Sequence, residues 1–366
     1  MSTSETRQRL SDYHSFLMLV WALKTDRGSV SDEVRTVLNS VTDFLRTATA
    51  RDIRERANEI EALLNQIVKA HDKILPSKKG VREIARDFRL LTKTEPDVWR
   101  YGIPCGWLLE RFDLSRLPQV EDLPVHARVG IGPNAGRVIV EEISLLQDVF
   151  FLLARARKSF EVMKRCADSQ CIEHTSHESF GGYSGLSALN SSVCTYSRLG
   201  VLTAVAFVEA FVNSVGWNEV AIRANLSEDE KAVLQGTRKG RYLNLESKIE
   251  RIPRIIRPDK ESPIVISDEK QMREPFVSFL RETKAVRDAS MHCAPGKAPI
   301  LLPPMEWLQL AEAAAKHAVA VASEFWSACY PDRQRPRYLA SLYYEGLQQE
   351  AIDRLNAADA VTEKHT

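Results

Sequence analysis

The sequence predicts an all-α protein, with a helical N-terminal region over residues 1–135 and a helical bundle over 136–366. Two observations carry that expectation. Apolar residues recur at a period near 3.6 along most of the chain, and Pro and Gly fall at the breaks between these stretches. From Ser197 to Trp217 nearly every residue is apolar, the pattern of a helix enclosed by others on all sides.

Taken in order, residues 6–24, 31–47 and 51–74 read as helices, with Ser31 a natural N-cap for the second. The third carries Ile53, Ala57, Ile60, Leu63, Leu64 and Ile67 on its apolar face. Pro76 to Gly80 breaks the pattern, and a shorter helix follows at 81–92. Residues 94–135 hold five prolines and read as an irregular connection with at most short helices or strands, which Trp99, Tyr101 and Trp107 tie down by packing. A long apolar helix is expected from Gly136 to Asp168, and a polar loop from Cys166 to Val193. Further helices are expected at 197–217, 228–252, 272–293, 304–330 and 336–357.

Fifty basic residues against 49 acidic ones leave a formal charge of +1, so no global field favours nucleic acid, and any basic surface must be local. The densest basic stretch is 236–260, with Arg238, Lys239, Arg241 and Lys248 among its cations. It suits a surface that tracks an RNA backbone, and a solvated helix would look similar. Six scattered cysteines fit reduced thiols in a cytoplasmic protein. No secretory leader is expected, and no membrane span, because Glu209 and Asn213 interrupt the best apolar candidate. Cys166, Cys171, His174 and His177 do not have the spacing of a zinc module, so no metal or other cofactor is expected. A glycine-rich phosphate loop, a nucleophile elbow and a His-Glu-x-x-His helix are all missing.

The stretch that carries chemistry closes the helix at 272–293, which Pro275 opens and Cys293 to Gly296 ends. Phe276, Phe279, Leu280, Thr283 and Val286 form its apolar stripe, while Lys284, Asp288 and His292 recur every four residues on a polar face. Arg287 and His292 are five residues apart, about 140° of rotation on an ideal helix. Arg287 should therefore point close to the apolar stripe, where a cation needs a partner. Glu209 and Asn213, the polar exceptions on the 197–217 helix, must also find partners, and Glu209 or Asn213 is expected to hold Arg287 or its neighbours.

An Arg, a polar residue, three more positions and a His, here Arg287-Asp288-Ala289-Ser290-Met291-His292, follow a helix that reads Glu209-Ala-Phe-Val-Asn213. That pair of features resembles the HEPN (higher eukaryote and prokaryote nucleotide-binding) superfamily, whose four-helix domains include many metal-independent RNases acting as dimers. Asp288 stands where Asn is common in the family. The resemblance covers roughly the second half of the chain. It implies that Arg287, Asp288 and His292 are catalytic, that Glu209 and Asn213 support them, and that two motifs meet across a homodimer. It implies an endoribonuclease acting on RNA, a toxin or antiviral effector that the N-terminal half or a regulatory protein partner controls. The alternatives are a non-catalytic HEPN scaffold that binds RNA or a protein, and a helical adaptor outside the family.

Overall fold

The structure, a computed structural model, describes residues 2–23, 30–72, 76–95, 98, 102–113, 123–129, 138–170, 179–292, 302–335 and 343–365. The protein is all-α: 76% of it is helical. Strand among the described residues is confined to two-residue pieces. The chain forms two compact units, Met1–Val140 and Glu141–Thr366.

In the first unit, helix α1 (Thr3–Leu23) packs against α2 (Val30–Thr47), α3 (Ala50–Asp72) and α4 (Val81–Thr94). Leu10, Phe16 and Leu17 of α1 meet a core that includes Leu38, Ile53, Ala57, Ile60, Leu64, Ile84 and Phe88. Buried Asp12 accepts a hydrogen bond from Arg89, which ties α1 to α4 by charge as well as by packing. The irregular stretch holds, as expected, only short elements: α5 (Cys105–Leu109), β1 (Ile103–Pro104) and β2 (Arg128–Val129), and β3 (Val138–Ile139) just beyond it completes a small antiparallel sheet in the order β1, β2, β3. That sheet corrects the helix expected from Gly136. Val138, Ile139 and Val140 are β-branched and suit a strand, whereas Glu141 and Glu142 suit a first helical turn, where the dipole favours negative charge.

The second unit is built around α7 (Ser179–Ile222), 44 residues and about 66 Å long at 1.5 Å per residue. Helices α6 (Glu141–Gln170) and α11 (Pro304–Cys329) lie along it, and α12 (Tyr344–His365) covers α6. Val201, Ala204, Val205, Phe207, Val208, Phe211 and Val212 of α7 are buried against Val149, Phe150 and Leu153 of α6 and a run of alanines on α11. Phe211 joins the stacked Phe207 ring to Phe325, with centroids 6.2 Å apart in both pairs. The expected polar loop is mostly helix, because α6 continues to Gln170 and α7 begins at Ser179 despite Gly181 and Gly182. Cys171, His174 and His177 lie outside the described residues. Contrary to the sequence expectation, Gly185–Ile222 is long and apolar enough to cross a membrane by length and composition alone. Its most apolar window is 61% buried by the surrounding helices, which marks it as a core helix.

The single helix expected at 228–252 is instead a helix, a hairpin and a second helix. Ser227 opens α8 (Glu228–Leu234) with a capping box to Glu230. Gly236, at φ +77, ends it. Strand β4 (Thr237–Arg238) then pairs with β5 (Arg241–Tyr242) across a two-residue turn, with Lys239 at φ 49 and Gly240 at φ 74. Two successive residues at positive φ match the twist of a tight hairpin. Asn244 caps α9 (Leu245–Ile256) by accepting from Ser247 N at 3.0 Å. Gly216 is obligatory where α7 meets this region, since a Cβ there would lie 2.2 Å from the Leu234 carbonyl oxygen. The next helix, α10, is α-helical at Phe276–Ser278, takes a π-helical turn at Phe279–Lys284, and is α-helical again at Ala285–His292.

Glu142, buried in the first turn of α6, accepts from Ser214 Oγ at 2.6 Å. Burial pushes its pKa from 4.5 up to about 7, against the opposing hydrogen bond. A carboxyl whose folded pKa exceeds its unfolded value gives stability that is complete below about pH 4.5 and lost as pH rises through about 7. The swing is roughly 3 kcal/mol. Glu142→Gln should therefore raise the thermal midpoint at pH 8 and change it little at pH 5. Equal shifts in scans at the two pH values would refute a carboxylate origin.

Candidate functional site

Three helices of the second unit converge on Arg287. The π turn takes up about one residue more than an α turn, so the residues after it are rotated by roughly 100° from an unbroken helix. That rotation accounts for a difference from the sequence expectation: Arg287 meets polar groups rather than the apolar stripe. Phe276, Phe279, Thr283 and Ala289 are the buried residues of α10 among those whose side chains are described. Thr283 Oγ1, on the π turn, lies 3.0 Å from His317 Nδ1 and ties α10 to α11. Burial lowers the His317 pKa against the pull of Glu282 and Glu274, which favours the neutral ring.

The side chains form a row. Asn213 Oδ1 accepts from Lys248 Nζ at 2.9 Å, and the same ammonium is 3.9 Å from Glu209 Oε1. Glu209 Oε2 is 4.0 Å from Arg287 Nη2, an ion pair at arm's length. Arg287 Nη1 is 3.0 Å from Asp288 Oδ1, and Asp288 Oδ2 accepts from Lys284 Nζ at 2.7 Å. Lys284 then reaches Glu246 Oε1 at 3.1 Å. Burial lowers the Lys284 pKa, but its hydrogen bonds to Asp288 and Glu246 outweigh that, and the net shift is upward. Three cations thus face three carboxylates, and the row is balanced.

Glu209 meets Arg287, as expected, although Asp288 is the closer partner of the guanidinium. Asn213 meets Lys248 instead. Asp288, implied by the resemblance to be catalytic with His292, has its described partners in Arg287 and Lys284. His292 is the last described residue of α10, and its side chain lies outside the described residues. Lys248, expected on an RNA-tracking surface, is only 6% exposed, with its stem against Gly236 and its charge on α7. Arg238, Lys239 and Arg241 are exposed on the hairpin. Two members of the row, Lys284 and Glu246, have no expected role in the site. The Lys284–Asp288 spacing of four was a signal for the first, and nothing local in the sequence pointed to the second.

Arg287 keeps 24% of its side chain exposed, so an anion can reach the guanidinium from solvent. A planar fork of donors there suits a phosphate or carboxylate. Neither a family model, nor a curated protein, nor a solved structure matches this chain.

Lys248→Ala should lower stability by about 2 kcal/mol, by leaving the Asn213 amide oxygen unmatched and removing the packed stem. Lys248→Met, which keeps most of the stem, should cost only about half as much. Denaturant midpoints for the two variants check this; no loss in either would mean that the ammonium does not hold Asn213.

Proposed function

We propose that the protein is a metal-independent endoribonuclease of the HEPN type, in which Arg287 and His292 act at the interface of a homodimer. The observation that carries this reading is the pairing of Glu209 on α7 with Arg287 on α10, with Asn213 tied into the same row only through Lys248 of α9. Cleavage of RNA without metal needs a base for the 2′-hydroxyl, a cation for the phosphorane and an acid for the leaving oxygen. One imidazole takes the 2′-hydroxyl proton as the 2′-oxygen bonds to phosphorus. The bond from phosphorus to the 5′-oxygen breaks, and that oxygen leaves with a proton from an imidazolium. The products are a 2′,3′-cyclic phosphate and a 5′-hydroxyl. Arg287 balances the charge that builds on the equatorial oxygens. A dimer supplies two copies of His292, one as base and one as acid. The first unit then serves as the regulatory module of a cytoplasmic toxin or antiviral effector.

A non-catalytic scaffold of the same family is the second reading. It is favoured by the fact that two carboxylates already engage Arg287, so a phosphate must compete with Asp288 for the guanidinium.

Purified protein should cleave RNA in the presence of EDTA and leave 2′,3′-cyclic ends. His292→Ala should lower the rate at least about 100-fold while the thermal midpoint stays within a few degrees. Undiminished cleavage by a folded His292→Ala protein would leave the scaffold reading standing. Light scattering at micromolar concentration should give a dimer, and a fully active monomer would exclude a shared site.

A further inference from the structure

We propose that the hairpin Thr237–Tyr242 is an arm that grips the phosphodiester backbone of the RNA strand, with one phosphate seated between Arg238 and Arg241. The inference rests on the reading of the Arg287 site as an RNA site. Arg238 and Arg241 are direct partners across the two strands, so their side chains leave the same face of the hairpin. Like charges placed opposite one another destabilise a hairpin, and a bound phosphate removes that repulsion. Neither arginine, nor Lys239 between them, is ion-paired to any described residue, whereas nearby Lys231, Arg257 and Lys260 are all paired with acids.

The turn makes the same point. Lys239 sits at φ 49, a conformation that favours Asn or Gly, so its charge rather than its backbone preference accounts for it. The arm also starts at the Arg287 row. A Cβ on Gly236, at its base, would lie 2.9 Å from Lys248 Cε and 3.8 Å from Asn213 Oδ1. Leu243 N donates to the Gly236 carbonyl at 2.8 Å and closes the base. At about 3.3 Å per residue the tip stands roughly 10 Å out from that row. A strand with one phosphodiester at Arg287 therefore has another within reach of the arm. Tyr242 pairs with Thr237 on the opposite face, which leaves the grip to cations and makes it indifferent to base sequence.

The test uses full-length protein carrying His292→Ala, to prevent turnover, and a fluorescein-labelled single-stranded RNA followed by anisotropy across a salt series. Adding Arg238→Gln and Arg241→Gln should weaken binding roughly tenfold and flatten the slope of log affinity against log salt by about 0.7, one phosphate contact on a single strand. Tyr242→Ala should leave that slope unchanged. Affinity and slope untouched by the double substitution would overturn the proposal. So would poly-glutamate competing as well as RNA of equal charge, since the arm would then suit an acidic protein. Cleavage assayed separately keeps the two readings apart: loss of the arm effect with cleavage intact refutes the arm alone, and arm-dependent binding without cleavage refutes the ribonuclease alone.

Discussion

Where α7 is enclosed by its neighbours its polar side chains have no water, and each must be matched by a neighbour or cost stability. On α7, Asn213 is met by Lys248 of α9, Ser214 by Glu142 of α6, and Glu219 by the Tyr330 hydroxyl just past α11. Two helices and the residue that closes a third answer three polar groups that lie within two turns. The apolar residues of α7 require that it be covered, and hydrophobic burial alone would accept many arrangements of the cover. The polar residues select among them, because a hydrogen bond tolerates little error in distance or angle. The site around Arg287 is a by-product of that selection: α9 and α10 lie where α7 can be satisfied, and their charges are carried with them.

The π turn in α10 works at the next level. A regular helix would direct its apolar stripe and its charged residues by one fixed repeat. The extra residue at Phe279–Lys284 lets the first half bury Phe276 and Phe279 while the second half turns Arg287 toward Glu209. Thr283, inside the turn, uses its hydroxyl on His317, so a distortion of the backbone is fixed by a side-chain contact.

Much of the fold was legible because it rests on periodicity. Ile53, Ala57, Ile60 and Leu64 read as a helical face and are buried as one. Glu209 and Asn213 were legible as exceptions within an apolar run, and their need for partners followed directly. The hairpin was missed because one helix was expected over 228–252, across Gly236 and Gly240, whose positive φ values end any helix. Lys248 was misread for a related reason. Its charge was counted with its neighbours, although its register on α9, three after Leu245 and one before Ile249, places it on the buried side. The opposite error occurred at the start of α7, where a polar stretch suggested a loop and local composition proved too weak a guide against tertiary packing.

The alternation of sign from Lys248 through Glu209, Arg287, Asp288 and Lys284 to Glu246 bears on how such a site changes over generations. Loss of any one charge leaves its neighbours facing an unbalanced field, so the effect of a second substitution depends on which came first. Along this row mutations are epistatic by construction. Drift there proceeds through compensating pairs, and the six positions should covary in sign among descendants even where the individual residues differ.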